Sequence, residues 1–123
     1  MRHMTNRVSP LPLTPAVFHI LLALADGEKH GYAVMKEVED QTEGRIRLGP
    51  GTLYGSLDRL LGARLIEECA GPSNDSVSHE RRRYYRLTAS GRMALREETQ
   101  RLKSAVAHAR QKGVLDGAKA ARV

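Results

Sequence analysis

Residues 49–68, GPGTLYGSLDRLLGARLIEE, constrain the fold more than any other stretch of the chain. Pro50 suits the first turn of a helix, where a missing N–H costs little, and Gly49 accepts the cap geometry before it. Leu53, Leu57, Leu60 and Leu61 then recur at i, i+4, i+7 and i+8, which lines one helical face with leucine and makes it a core face. Thr52, Ser56 and Arg59 repeat the i, i+4, i+7 spacing on a neighbouring stripe, while Gly51, Gly55 and Gly62 leave the rest of the surface bare. An internal glycine costs a helix about 1 kcal/mol relative to alanine, so Gly55 calls for compensation. One reading is close approach to a DNA groove, with hydroxyls and an arginine reaching phosphates and base edges. The other is a short core helix whose glycines serve no partner.

The flanking chain supplies the rest of a small domain. Thr14 before Pro15 is a helix start, and Val17, Ile20, Leu21 and Leu24 give that helix a buried face ended by Asp26 and Gly27. After a turn at residues 28–30, the spacing predicts a second helix over 31–41, with Tyr32, Met35 and Val38 inward and Lys36, Glu37 and Glu39 outward. Gly44 breaks it, and Arg45, Ile46, Arg47 and Leu48 alternate as a brief extended segment. Beyond the central helix, residues 65–68 read as a strand, 70–80 as a turn-rich tip and 81–87 as a returning strand with Tyr85 and Leu87 facing the core. Thr88 caps a final helix running to about Lys112, with Gly113 as its stop.

The expected fold class is therefore mostly α with a small β-hairpin, a winged helix-turn-helix followed by a long C-terminal helix. Its parts are an N-terminal arm at 1–13, a winged-helix unit at 14–88, the long helix at 89–112 and a flexible tail at 113–123. On the long helix, Leu95, Leu102 and Ala109 recur every seven residues with Met93, Ala105 and Val106 beside them, a seam for a partner helix. About 24 residues at 1.5 Å each reach about 36 Å, more than a small core covers. A second copy would cover it, and packing on the chain's own first helix is the alternative.

Charge and composition narrow the function. A formal charge of +6 and an isoelectric point near 9.9 favour a polyanionic partner. Arg81, Arg82, Arg83 and Arg86 crowd one strand with Tyr84 and Tyr85, the strongest such signal in the chain. Pairing with Glu67, Glu68 and Glu80 is the competing reading of that strand. A single cysteine, Cys69, allows neither an internal disulfide nor a cysteine metal cluster, and suits a reducing compartment. No apolar run approaches membrane-spanning length and the start lacks the apolar segment of a secretory signal, so a cytoplasmic protein is expected. Catalysis is not expected: there is no glycine-rich phosphate loop, no histidine and carboxylate at metal spacing, and no base evident for Cys69. No cofactor or metal is called for.

The stretches LTPAVFHILLALADGEKHGYAVMKEVE (13–39), RLGPGTLYGSLDRLLGARLIEE (47–68) and RRRYYRLTASGRMAL (81–95) closely resemble the PadR family of bacterial transcriptional regulators. Three features together carry the resemblance: the Gly31–Tyr32 start of helix two, the Gly-Pro-Gly-Thr-Leu-Tyr run opening helix three, and the tyrosine-rich second wing strand. It implies a dimeric repressor on double-stranded DNA, its last helix pairing the subunits through Met93, Leu95, Leu102, Val106 and Ala109. The third helices and wings would bind a palindromic operator. Residue by residue, His30 and Tyr32 would lie near the DNA backbone, Thr52, Leu53, Tyr54 and Ser56 at the groove-facing end of the recognition helix, and Arg59, Arg81, Arg82 and Arg83 on phosphates. Two positions often basic in the family are Gly55 and Asp58 here, which removes charge from the helix. The chain resembles the short-tailed kind. In that family small aromatic or amphipathic effectors are sensed between subunits, yet the final helix here has no aromatic residue, and Phe18, the one obvious ring near such a groove, reads better as ordinary core. A winged helix serving as an adaptor for protein or RNA is the alternative function.

Overall fold

The computed structural model describes residues 13–72 and 82–116. All of the arm but Leu13, most of the hairpin tip, Arg81 and the end of the tail, on which expectations were placed above, lie outside the described residues. Among the described residues, four helices and three strands follow in the order α1 (Pro15–Ala23), β1 (Lys29–His30), α2 (Gly31–Gln41), α3 (Pro50–Gly62), β2 (Ile66–Cys69), β3 (Tyr84–Leu87) and α4 (Ala89–Gln111). The small sheet is antiparallel with β3 in the middle, between β1 and β2.

Local chemistry sets the boundaries. The Thr14 hydroxyl accepts the Val17 N–H at 3.2 Å with Pro15 at the first helical position, and the Thr88 hydroxyl accepts the Gly91 N–H at 3.0 Å at the head of α4. At the end of α3, Arg64 adopts a left-handed conformation (φ 63°) and the Leu65 N–H closes back on the Leu60 carbonyl at 3.0 Å. That turn points β2 back along the domain. The Thr88 hydroxyl also donates to the Arg64 carbonyl at 2.7 Å, fastening the start of α4 to the same turn.

The core lies between α1, α2, α3 and the sheet. Ile20, Leu21 and Leu24 meet Val34 and Val38, the leucines Leu53, Leu57 and Leu60, and Ile66, Tyr85 and Leu95. Full burial of each large apolar side chain contributes roughly 1.5–3 kcal/mol, so this cluster is the main source of stability. Leu48 is buried and Ile46 half-buried between exposed Arg45 and Arg47, so the predicted alternation of 45–48 holds without strand pairing.

Three assignments differ from expectation: Tyr32 facing inward, Tyr84 on the outer row and residues 28–30 as a plain turn. Tyr32 is 59% exposed, because α2 turns the row Gly31, Val34 and Val38 to the core instead. Tyr84 is buried alongside Tyr85 although the two point to opposite faces of β3, since the His30 ring and Gly71 cover the outer face. Lys29 and His30, expected in a turn, pair with Tyr85 and Tyr84 as the third strand. A two-residue strand carries too little alternation to be read from sequence.

Candidate nucleic-acid interface

The outer face of α3 carries exposed Gly51, Thr52, Tyr54, Asp58, Arg59 and Gly62 with half-buried Gly55. Leu53 and Ser56 are buried, so neither side chain reaches a groove. Leu53 belongs to the leucine face, and Ser56 falls on the flank where α3 meets the domain. Ser56 acts indirectly: its hydroxyl accepts from Nη2 of Arg59 at 3.3 Å and holds that guanidinium along the helix.

At the first turns of α3 several elements converge. His30 ends β1 and caps α2, its Nδ1 accepting the Ala33 N–H at 3.3 Å, which puts the ring proton on Nε2. The imidazole stacks on Tyr32 with centroids 6.5 Å apart and meets Tyr84 edge-on at 5.4 Å. Gly31, which sequence reasoning noted only as part of a motif, is a seat for Tyr54. A methyl group at Gly31 would stand 2.5 Å from the Tyr54 hydroxyl oxygen and 2.8 Å from its Cζ. The requirement comes from a residue 23 positions away, so no local pattern could reveal it.

Opposite this aromatic group, β3 is approached by Arg82 and Arg83. His30, Gly31, Tyr32, Tyr54, Arg82 and Arg83 together line an open cleft of about 340 Å³. Expected contact residues from α2, α3 and the wing thus share one surface, with Thr52 and Arg59 on the adjoining face of α3.

The wing is less positive than its arginines suggest. Register sets Glu67 opposite Arg86, and their side chains meet at 2.7 Å. Glu68 accepts from Arg83, Nε lying 2.6 Å from Oε2. Both arginines are pushed up from their ordinary pKa, chiefly by these carboxylate hydrogen bonds. The Arg83 guanidinium also lies 5.9 Å from the centroid of Tyr85. The Tyr85 hydroxyl has no hydrogen-bond partner among the described residues, and burial pushes its pKa up, opposed by Arg83. Among the described residues no group of three or more His, Cys, Asp or Glu side chains could hold a metal ion, and no helix is long and apolar enough to cross a membrane.

On α4 the core-facing row is Gly91, Ala94, Leu95 and Glu98. Leu95, expected at a subunit seam, is therefore packed inside its own chain, where α4 meets α1. Beyond Glu98 the same side of the helix continues as Leu102 (43% exposed), Val106 (45%) and half-buried Ala109. Met93 is also exposed but lies nine residues before Leu102, about two and a half turns away and on the opposite side, so it does not extend that row.

These features match known proteins. The profile of the transcriptional regulator PadR-like family matches residues 20–97, from α1 into α4. A transcriptional regulator of Mycobacterium tuberculosis is 37% identical over 84 residues, 68% of this chain and 72% of that protein. An uncharacterized 37.1 kDa transposon protein of Streptomyces fradiae is 43% identical over 79 residues, 64% of this chain but only 20% of that protein's length. Among solved structures, a PadR family transcription regulator of Clostridium difficile R20291 superposes with a TM-score of 0.64 at 23% identity, covering 80% of this chain and 97% of the other. Bacillus subtilis PadR in complex with operator DNA gives 0.57 at 20% identity, covering 71% and 46%. At such identities the two structures establish the winged-helix fold, and the profile carries the family, one of transcriptional regulators rather than enzymes. With its two helices, outward-facing third helix, small wing and long C-terminal helix, the chain belongs to the PadR-like family of transcriptional regulators.

Proposed function

We propose that the chain is a sequence-specific regulator of double-stranded DNA, acting as a repressor on a palindromic operator as a homodimer. Residues 14–88 form the DNA-binding unit and 89–112 the dimerisation helix. The observation that carries the reading is the cleft in which His30, Tyr32, Tyr54, Arg82 and Arg83 converge beside the outer face of α3. A helix inserted in the major groove, with flanking cations and ring hydroxyls on phosphates, uses that arrangement directly. The continued apolar row Leu102, Val106 and Ala109 supports the dimer, since α4 outruns the core that covers its first half. Paired subunits would then set two α3 helices about 34 Å apart, one turn of DNA. Release by a small aromatic or amphipathic effector between subunits completes the proposal, although Phe18 on α1 packs against the core and supplies no free ring for it.

Phosphate contacts act on every sequence and base contacts discriminate, so two variants separate the roles. Arg82→Ala is expected to weaken binding to all duplexes alike and to lower the slope of log affinity against log salt by about 1. Thr52→Ala is expected to change relative affinity among duplexes while leaving that slope alone. An unchanged slope for the first, or uniform loss for the second, contradicts the assignment.

A further inference from the structure

We infer that Asp58 sets base preference by accepting a hydrogen bond from the exocyclic amino group of a cytosine in the major groove. This rests on the DNA-binding reading above, with α3 in the groove, and follows from what the other polar groups on that helix face are doing. Tyr54 is turned back toward α2, its hydroxyl over the bare Cα of Gly31. Arg59 is turned back along the helix to Ser56. Arg83, across the cleft, is bonded to Glu68. Thr52 and Asp58 remain as exposed polar side chains of α3. Among the described residues Asp58 accepts no hydrogen bond and acts on Arg83 through space only, its charge helping Glu68 to hold that guanidinium protonated.

Of these two, Asp58 stands nearer the middle of the outer face, one turn beyond Tyr54 and in line with Gly51, Gly55 and Gly62 at helical spacing. A methyl group added at Gly51 or Gly62 would meet nothing within 4 Å, and at Gly55 only Nη1 of Arg59 at 3.8 Å. The glycines therefore leave the helix surface beside Asp58 open to close approach, with the Arg83 guanidinium near enough to feel its charge but itself bonded to Glu68. A carboxylate brought to a polyanion is repelled, and since it can only accept hydrogen bonds, a donor must satisfy it. In the major groove cytosine presents its N4 amino group, whereas the amino group of adenine sits beside the N7 acceptor, which would face the second carboxylate oxygen. Guanine and thymine offer acceptors or a methyl group there. Cytosine is the base this side chain fits.

The test is selection of bound duplexes from a random-sequence pool by the full chain, comparing wild type with Asp58→Asn. The wild type is expected to enrich sites with a cytosine at one fixed position per half-site, favoured about tenfold over other bases. In Asp58→Asn that position should move to adenine, because a carboxamide accepts from N6 and donates to N7, while every other position stays as it was. An unchanged motif overturns the inference. So does a variant that gains affinity equally on all duplexes, which would make Asp58 a source of repulsion alone. Enrichment of no motif by the wild type defeats the DNA-binding reading itself, and that outcome is distinct from either of the others.

Discussion

Two glycines, Gly31 and Gly91, show how the nature of the neighbouring atom decides the cost of a methyl group. At Gly91 an added methyl would stand 1.9 Å from the Leu65 carbonyl oxygen, a backbone atom fixed by the turn after α3 and by the Thr88 N–H. Gly91→Ala is expected to destabilise by about 1–3 kcal/mol or more, measured by denaturant unfolding. At Gly31 the obstruction is the far end of Tyr54, which can swing outward. Gly31→Ala should leave the unfolding midpoint nearly unchanged and instead weaken DNA binding, with the loss largely absent when Tyr54 is already alanine. A large drop in stability would show that the ring is not free to move. Neither need was visible in sequence, because both glycines answer to residues distant along the chain. Tyr32 illustrates a related limit. The rows Tyr32, Met35, Val38 and Gly31, Val34, Val38 both fit a helical face, and only packing against α1 and α3 chooses between them.

Among the elements, α1, α3 and α4 were legible because each carries its own start chemistry: Thr14 with Pro15, Gly49 with Pro50, and Thr88. Helix α2 was legible from its apolar spacing and the Gly44 break alone, its His30 cap giving no signal. The wing was legible as a hairpin, and its charge in part: the arginines read first as a polyanion site, with pairing to Glu67, Glu68 and Glu80 as the competing reading. Strand register decides which acid meets which arginine, Glu67 with Arg86 and Glu68 with Arg83. Exposed pairs of this kind add little to stability. Glu68→Gln is accordingly expected to leave the melting temperature within a degree or so while raising affinity for duplex DNA severalfold at low salt, because Arg83 is released toward phosphate. Unchanged affinity would mean that Arg83 does not face the DNA. The turn after α3 offers a separate check. Arg64 holds a left-handed conformation that glycine adopts without strain, so Arg64→Gly should gain up to about 1 kcal/mol in chemical denaturation.

For the molecule as a whole, Glu98 ties Leu13, just before the Thr14 cap of α1, to the last helix. Its Oε1 accepts from Arg101 Nη2 at 2.6 Å and from the Leu13 N–H at 3.3 Å while the side chain is buried. Its pKa is lowered, first by the Arg101 hydrogen bond, against the opposing effect of burial. A carboxyl depressed in the folded state stabilises fully above its unfolded pKa, near 4.3, and that stabilisation is lost as pH falls through the lower folded value. Glu98→Gln should therefore flatten the acid limb of the stability profile; an identical limb would show that the contact carries no linkage. The seam on α4 was half legible, since heptad spacing found the row but could not tell that Leu95 is spent inside the chain. Replacing Leu102 and Val106 together by aspartate should yield a folded monomer in sedimentation, and a persisting dimer would locate the subunit contact elsewhere.

The first measurement to make is anisotropy of a labelled duplex taken from upstream of the chain's own gene, titrated with the purified protein across a salt series against unlabelled random duplex and double-stranded RNA. Binding at two protomers per site that survives both competitors is the expected result, since a DNA major groove admits an α-helix and the deep, narrow groove of RNA excludes one. Equal displacement by all three nucleic acids, with affinity collapsing as salt rises, would contradict sequence-specific regulation and leave a basic winged helix that serves as an adaptor.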